Sequence, residues 1–235
     1  MQVRLGFRHE LWAEGVKRPI VWDTEKVPHI MVAGITGGCK TVLSQMILNQ
    51  MIGEFKVTIC DFKAGGDWDG IVDDYYEYIE CDVGLKQFHE AFCKTIAVKG
   101  HENRILIFDE ISSYALSKDS KEYKEMNSML SHLAFMSRSF GYHLMLISQQ
   151  FNSKVIDTAI REQFGIKIYM GSTISTESAS MLFPGVEIDK GRHLPPYCGY
   201  VSMPGSDVDI IQIPYIDNPD MLKELLKQKA RIRGT

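Results

Sequence analysis

The run Gly34-Ile35-Thr36-Gly37-Gly38-Cys39-Lys40-Thr41 fits the phosphate-loop pattern at its first glycine, its lysine and its threonine. Such a turn suits a nucleoside triphosphate. Backbone N–H groups from Gly34 to Val42, at the start of a helix, would cradle phosphate oxygens. Lys40 would reach the β- and γ-phosphates, and the Thr41 hydroxyl would ligate Mg²⁺. Cys39 stands where the pattern has glycine. If the backbone there must take a positive φ, its side chain costs about 1–2 kcal/mol. A second run, Ile105-Leu106-Ile107-Phe108-Asp109-Glu110, has the Walker B form of four apolar residues followed by two acids. Asp109 would support Mg²⁺, directly or through water, and Glu110 would polarise the attacking water as general base. In the third group, Ser148-Gln149-Gln150, Gln149 would sense the γ-phosphate or orient water. Together these residues imply binding and hydrolysis of ATP with Mg²⁺.

Each group follows a short apolar run that reads as a buried strand. Residues 29–33 (HIMVA) precede the loop, and Val42, Leu43, Met46, Ile47 and Met51 then follow helical spacing up to Gly53. Further strands are expected at 56–61, 104–109, 143–148 and 166–170. Helices are expected around Leu85, Phe88, Phe92 and Ile96, and along Met126, Met129, Leu130, Leu133 and Met136 up to Gly141. Strands alternating with helices imply crossover connections and a mostly parallel sheet. Residues 199–203 and 208–213, joined by Pro204-Gly205-Ser206-Asp207, read as a hairpin. Residues 1–26 read as a strand-poor lead-in. Residues 217–235 read as a short helix from about Asn218 and a basic tail.

Some of these blocks are more specific than the Walker patterns. Pro28-His29-Ile30-Met31-Val32-Ala33-Gly34-Ile35-Thr36-Gly37 resembles the PHLLVAG-x-TG entry to the phosphate loop of the FtsK/SpoIIIE family. Asp61-Phe62-Lys63 resembles its DPK-type motif. Arg138-Ser139-Phe140-Gly141-Tyr142-His143-Leu144, followed by Ile147-Ser148-Gln149, resembles its R-x-x-G-x-H-L and ATQ block. The segment from Gly199 to Gly205 looks like the strand closing the motor domain in conjugation-type members. The resemblance spans residues 14–216. It implies a RecA-like P-loop ATPase domain that assembles as a homo-hexamer, hydrolyses ATP between subunits and translocates double-stranded DNA. Members on conjugative elements act in DNA transfer, others move chromosomes, and some power type VII protein secretion. Two departures bear on hydrolysis more than on binding: Cys39 replaces a loop glycine, and Gln150 replaces the arginine common after ATQ. A non-hydrolysing nucleotide-binding ring scaffold and a type VII secretion ATPase domain are therefore the alternatives to a DNA motor. The whole of 1–235 reads as one such domain, without the membrane segments or the DNA-orienting winged helix of longer members. It would be an excised motor domain or a short mobile-element version.

Composition sets the remaining bounds. The 235 residues carry 26 Lys plus Arg against 30 Asp plus Glu, a formal net charge of −4, with 45% hydrophobic and 24% charged residues. Those proportions fit a folded α/β chain and exclude general disorder. No run approaches the about 20 apolar residues of a membrane span, and no signal peptide is visible. The expectation is cytoplasmic, at the membrane's inner face only through a conjugation-machinery or membrane-anchored partner outside this chain. Five cysteines without a CxxC pair argue against a disulfide framework or a zinc ribbon. Arg138 is read as an arginine finger or as a brace for its own helix end, and Lys63 as facing DNA or a subunit boundary, or as a surface salt bridge. Lys118, Lys121 and Lys124, with Asn152, Ser153 and Lys154, would line a ring's pore or lie in solvated loops. The acids from Asp67 to Asp82 read as an exposed surface averse to DNA. Trp12, Trp22 and Trp68 read as packing or interface residues. Cys39, beside Lys40 at a helix N-terminus, is expected to have a lowered thiol pKa and raised reactivity.

Overall fold

The structure is a computed structural model describing residues 1–152 and 154–233. Its elements are β1 (Gln2–Arg8), α1 (His9–Ala13), β2 (Pro19–Asp23), β3 (His29–Gly34), α2 (Lys40–Met51), β4 (Lys56–Asp61), β5 (Tyr75–Glu77), α3 (Cys81–Ala97) and β6 (Arg104–Asp109). There follow α4 (Ile111–Leu116), α5 (Ser120–Met136), β7 (Tyr142–Ser148), α6 (Thr158–Glu162), β8 (Ile166–Met170), α7 (Thr176–Leu182), β9 (Cys198–Ser202), β10 (Asp209–Gln212) and α8 (Pro219–Arg233). One large, mostly parallel sheet flanked by helices takes the order β2-β1-β10-β9-β8-β3-β7-β6-β4-β5. The neighbours from β8 to β5 are parallel, and those from β8 to β2 are antiparallel.

The five strands read from the sequence form the middle of this sheet. Their apolar runs are continuous because both faces are covered, as parallel strands require. Alternation sorts the side chains. Ile30, Val32, Ile105, Ile107, Met145 and Ile147 join one core with Leu43, Ile47 and Leu48 of α2 and Leu226 of α8. Met31, Ala33, Leu106, Phe108, Leu144 and Leu146 join the other with Phe88 and Phe92 of α3 and Leu130 and Leu133 of α5.

The ends of the chain differ from expectation. The lead-in holds β1, α1 and β2, because Val3, Leu5, Ile20 and Trp22 alternate into the core while Arg4, Arg8 and Arg18 interrupt the pattern. The hairpin of β9 and β10 is no appendage: β9 pairs with β8 and β10 with β1. The closing helix α8 has 15 residues and buries Leu222, Leu226 and Ala230, while the Lys223 and Lys229 amines donate to the carbonyls of Gly66 and Asn49. Gly234 and Thr235, the end of the expected tail, lie outside the described residues. No helix among the described residues is long and apolar enough to cross a membrane.

The histidines of the PH and GYHL blocks fasten the far ends of the central strands. The buried His29 ring donates from Nε2 to the Ala134 carbonyl (3.2 Å) and accepts the Leu144 N–H at Nδ1 (3.1 Å). His143 donates from Nδ1 to the Pro28 carbonyl (3.0 Å). Burial pushes His29 down to about 3 and His143 down to about 4. The unfolded chain takes up protons on both imidazoles below its ordinary value of 6.5, and the folded chain does not until pH nears those lowered values. Stability from this source is full above that value and falls as pH drops toward 4. The variant His29→Gln should flatten the pH slope by up to about 1.4 kcal/mol per pH unit relative to the parent. Urea unfolding of both proteins between about pH 7 and pH 5 measures this, and equal slopes would contradict a neutral, locked ring.

Candidate functional site

The turn after β3 is shaped by close approach to β8. A Cβ at Gly34 would overlap the Met170 carbonyl oxygen, and one at Gly38 would lie 2.5 Å from the same oxygen. Gly34 has φ 148° and Gly37 φ 75°. The Gly38 N–H donates to the Ile35 carbonyl at 3.0 Å, closing the turn. Cys39, at φ 67° and ψ 23°, caps α2 in the left-handed region, as its place in the pattern demanded. The 12-residue α2 has no acid in its first turn and no side chain bonded to its cap, so its positive end and free N–H groups face outward. Thr41 and Val42 lie in that first turn, half-buried, while Ile35, Thr36 and Gly37 are exposed.

Parallel register then assembles the remaining groups beside the loop. Asp61 of β4 pairs with Asp109 of β6, and Ala33 of β3 with Ser148 of β7, at the carboxyl ends of adjacent strands. The Gly34 N–H donates to the Gln149 carbonyl at 3.4 Å, and the Gln149 side chain is exposed. Lys40 donates from Nζ to the carbonyls of Gly34 (2.7 Å) and Ile35 (3.0 Å). Burial pushes Lys40 below its ordinary value, while the negative charges of Glu110 and Asp109 oppose that shift. Lysine, loop and both acids therefore lie at the carboxyl ends of neighbouring strands, the crevice position of an open α/β sheet.

The acids are held by residues to which the sequence reading gave no such role. Trp68, fully buried, donates from Nε1 to Asp109 Oδ2 at 2.8 Å. Asp109 is pushed up to about 6, mainly by burial and also by its acidic neighbours Asp61, Glu110 and Asp67. Asp61 is also raised by burial; its Oδ1 accepts from the Lys63 and Ala64 N–H groups, while its Oδ2 is buried without a hydrogen-bond partner. Glu110 takes φ 58° and caps α4. Its Oε1 lies 3.2 Å from the hydroxyls of both Ser113 and Ser148. Ser148 Oγ is also 2.6 Å from Ser112 Oγ, which donates to the Gln150 carbonyl at 2.6 Å. This relay ties the acid after β6 to the polar end of β7. Buried carboxylates, one with an orphan oxygen, opposite a glycine cradle and a free helix N-terminus fit a divalent cation and a polyphosphate. Ser148 was legible as a polar strand end. Trp68 was read as a packing or interface residue and is fully buried, but its bond to Asp109 gave no signal, since a single aromatic in an acidic stretch has no period.

Several expectations change. Burial raises the Cys39 thiol pKa rather than lowering it, because the residue is half-buried against the apolar core beneath α2. Lys118 is not available to a pore: it pairs with Asp82 at 2.6 Å and lies 4.4 Å over the Tyr114 ring. Lys121, Lys124 and Lys154 are exposed, and Ser153 lies outside the described residues. Arg138 donates from Nε to the Glu25 carbonyl (3.1 Å), bracing the end of the sheet opposite the crevice of its own chain. Lys63 makes no ion pair among the described residues, and its charge instead acts on Lys40. The acidic stretch is exposed at Asp69, Asp73, Asp74, Glu77 and Glu80, but Trp68, Ile71 and Val72 anchor it and it supplies the edge strand β5.

Comparison with known proteins agrees with this geometry. No family model matches the chain. It is 26% identical over 193 residues to an FtsK domain-containing protein, YdcQ, of Bacillus subtilis (strain 168), across 72% of this chain and 39% of the relative. It thus spans about two-fifths of the relative's length. Among solved structures it superposes on the pCW3 conjugation coupling protein TcpA, crystallised with ATPγS, at TM-score 0.68 and 20% identity, over 95% of this chain and 70% of that one. The cytoplasmic domain of the type VII secretion ATPase EccC of Thermomonospora curvata superposes at TM-score 0.71 and 16% identity, over 97% and 31%. The genome packaging NTPase B204 of Sulfolobus turreted icosahedral virus 2, with ATPγS, superposes at TM-score 0.55 and 14% identity, over 80% and 98%. The chain resembles an FtsK domain in sequence and has the P-loop ATPase fold.

Two outcomes follow for the crevice. Cys39→Gly should stabilise the protein by about 0.5–1 kcal/mol, the left-handed penalty relieved less the extra chain entropy of glycine. Urea unfolding reads this, and a loss of stability would mean the turn carries no strain. Trp68→Phe removes the donor to Asp109 and should weaken Mg²⁺-dependent nucleotide binding about 10–100-fold. Titration calorimetry measures it, and unchanged affinity would show that the indole does not position the acid.

Proposed function

We propose that this chain is a motor domain of the FtsK/SpoIIIE type that binds Mg-ATP, hydrolyses it and translocates double-stranded DNA, in conjugative transfer or in chromosome or plasmid movement. The observation that carries the reading is the parallel register that brings the glycine loop after β3, the polar end of β7 and the Walker B acids at the end of β6 to one end of the sheet. The backbone N–H groups from Gly34 to Val42 bind phosphate oxygens. Lys40 swings from the Gly34 and Ile35 carbonyls to the β- and γ-phosphates. Thr41 and Asp109 would hold Mg²⁺, with Trp68 fixing the Asp109 carboxylate. The bound ion supplies neutralisation of charge on the phosphates. Glu110, aimed by Ser113 and Ser148, takes a proton from the attacking water, and Gln149 contacts the γ-phosphate. The strained backbone at Glu110 supports a functional rather than a packing role.

The working form in this reading is a homo-hexamer in the cytoplasm, held at the membrane's inner face by partners or segments outside this chain. A second reading, a type VII secretion ATPase domain, is supported by the likeness to EccC, which covers nearly all of this chain. A third, a nucleotide-binding ring scaffold without turnover, draws on the left-handed Cys39.

Steady-state ATPase with and without duplex DNA separates them. The motor reading expects turnover stimulated by DNA. It also expects Glu110→Gln to lower kcat by about 10²–10⁴-fold while ATP remains bound, and Lys40→Ala to lose binding. Turnover indifferent to DNA but dependent on a protein substrate would favour secretion. ATP binding without turnover would favour the scaffold.

A further inference from the structure

Outside the crevice, α3 and α5 bring three metal-ligating side chains to one point. His89 and Cys93 are four residues apart on α3, hence on one helix face, and His132 faces them from α5. His89 Nε2 lies 2.9 Å from His132 Nδ1 and 3.8 Å from Cys93 Sγ. The three donor atoms lie within 4.8 Å of one another, and all three residues are half-buried.

We infer that His89, Cys93 and His132 form a binding site for a borderline-soft divalent cation, with zinc the best match. Zinc bonds of about 2.0–2.1 Å to nitrogen and about 2.3 Å to sulfur place tetrahedral neighbours about 3.3–3.6 Å apart. The observed separations bracket those edges, so small side-chain rotations seat the ion. Two imidazoles and a thiolate select zinc over magnesium or calcium, which prefer oxygen. Partial exposure leaves the fourth position to water. The Phe92 ring, 5.1 Å from the His132 ring, forms an apolar wall. On binding, the Cys93 thiol loses its proton to solvent. The hydrogen between the two rings shifts to an outer ring nitrogen, so one proton is released per ion. The site shares no residue with the crevice of Lys40, Asp109 and Glu110, and it staples the two long helices on one face of the sheet.

The test uses the full chain, stripped of metal and titrated with Co²⁺ and then Zn²⁺. The expected result is one equivalent of Co²⁺ with a thiolate-to-cobalt charge-transfer band, displaced by Zn²⁺ and unaffected by excess Mg²⁺. Zn²⁺ should raise the thermal midpoint and EDTA should reverse the rise. Cys93→Ser should abolish the band, and His132→Gln should weaken Zn²⁺ by more than the roughly 10–100-fold that outer-sphere changes cost. Absence of the band in the parent protein would overturn the proposal, as would a band that survives Cys93→Ser.

Discussion

The crevice depends on how closely the turn after β3 lies against the Met170 carbonyl at the end of β8. Only glycine fits at 34 and 38, because any Cβ there would enter that oxygen's shell. This contact fixes the height of the loop over the sheet. The parallel pairing of β3 with both β7 and β8 then sets everything else by register. A carbonyl acts here as a spacer, and its partners are defined by the atoms they lack.

Near that contact the chain makes several unfavourable choices. Cys39 and Glu110 both occupy the left-handed region, and two carboxyls, Asp61 and Asp109, are buried side by side with raised pKa values. At the other end of the strands the buried histidines His29 and His143 are partnered by backbone groups. Left-handed backbone and two buried acids lying together at the carboxyl end of the sheet have the character of a functional site.

Much of this was readable in advance because the reacting groups sit on continuous apolar strands. Lys56–Asp61, Arg104–Asp109 and Ile166–Met170 form where their patterns placed them. What escaped notice was short or supported at a distance. The five-residue helices α1 and α6 are too brief to show a period, and β1 hides its alternation among arginines. Trp68 reaches Asp109 across 41 residues of chain, and the three-serine relay joins loops 36 to 38 residues apart. Local spacing carries no trace of such contacts. The Cys39 thiol pKa was misjudged because neighbours in sequence suggested charge, while the fold supplied burial.

The far rim of the sheet has a consequence of its own. β5 is only three residues long, and it is flanked by the exposed Asp73, Asp74 and Glu80. A strand so brief and so fringed with negative charge offers no template for another backbone. The opposite rim, β2, opens with Pro19, which has no N–H to give. Both margins are therefore blunted as templates for a further strand, which would find little free ladder to extend at either one.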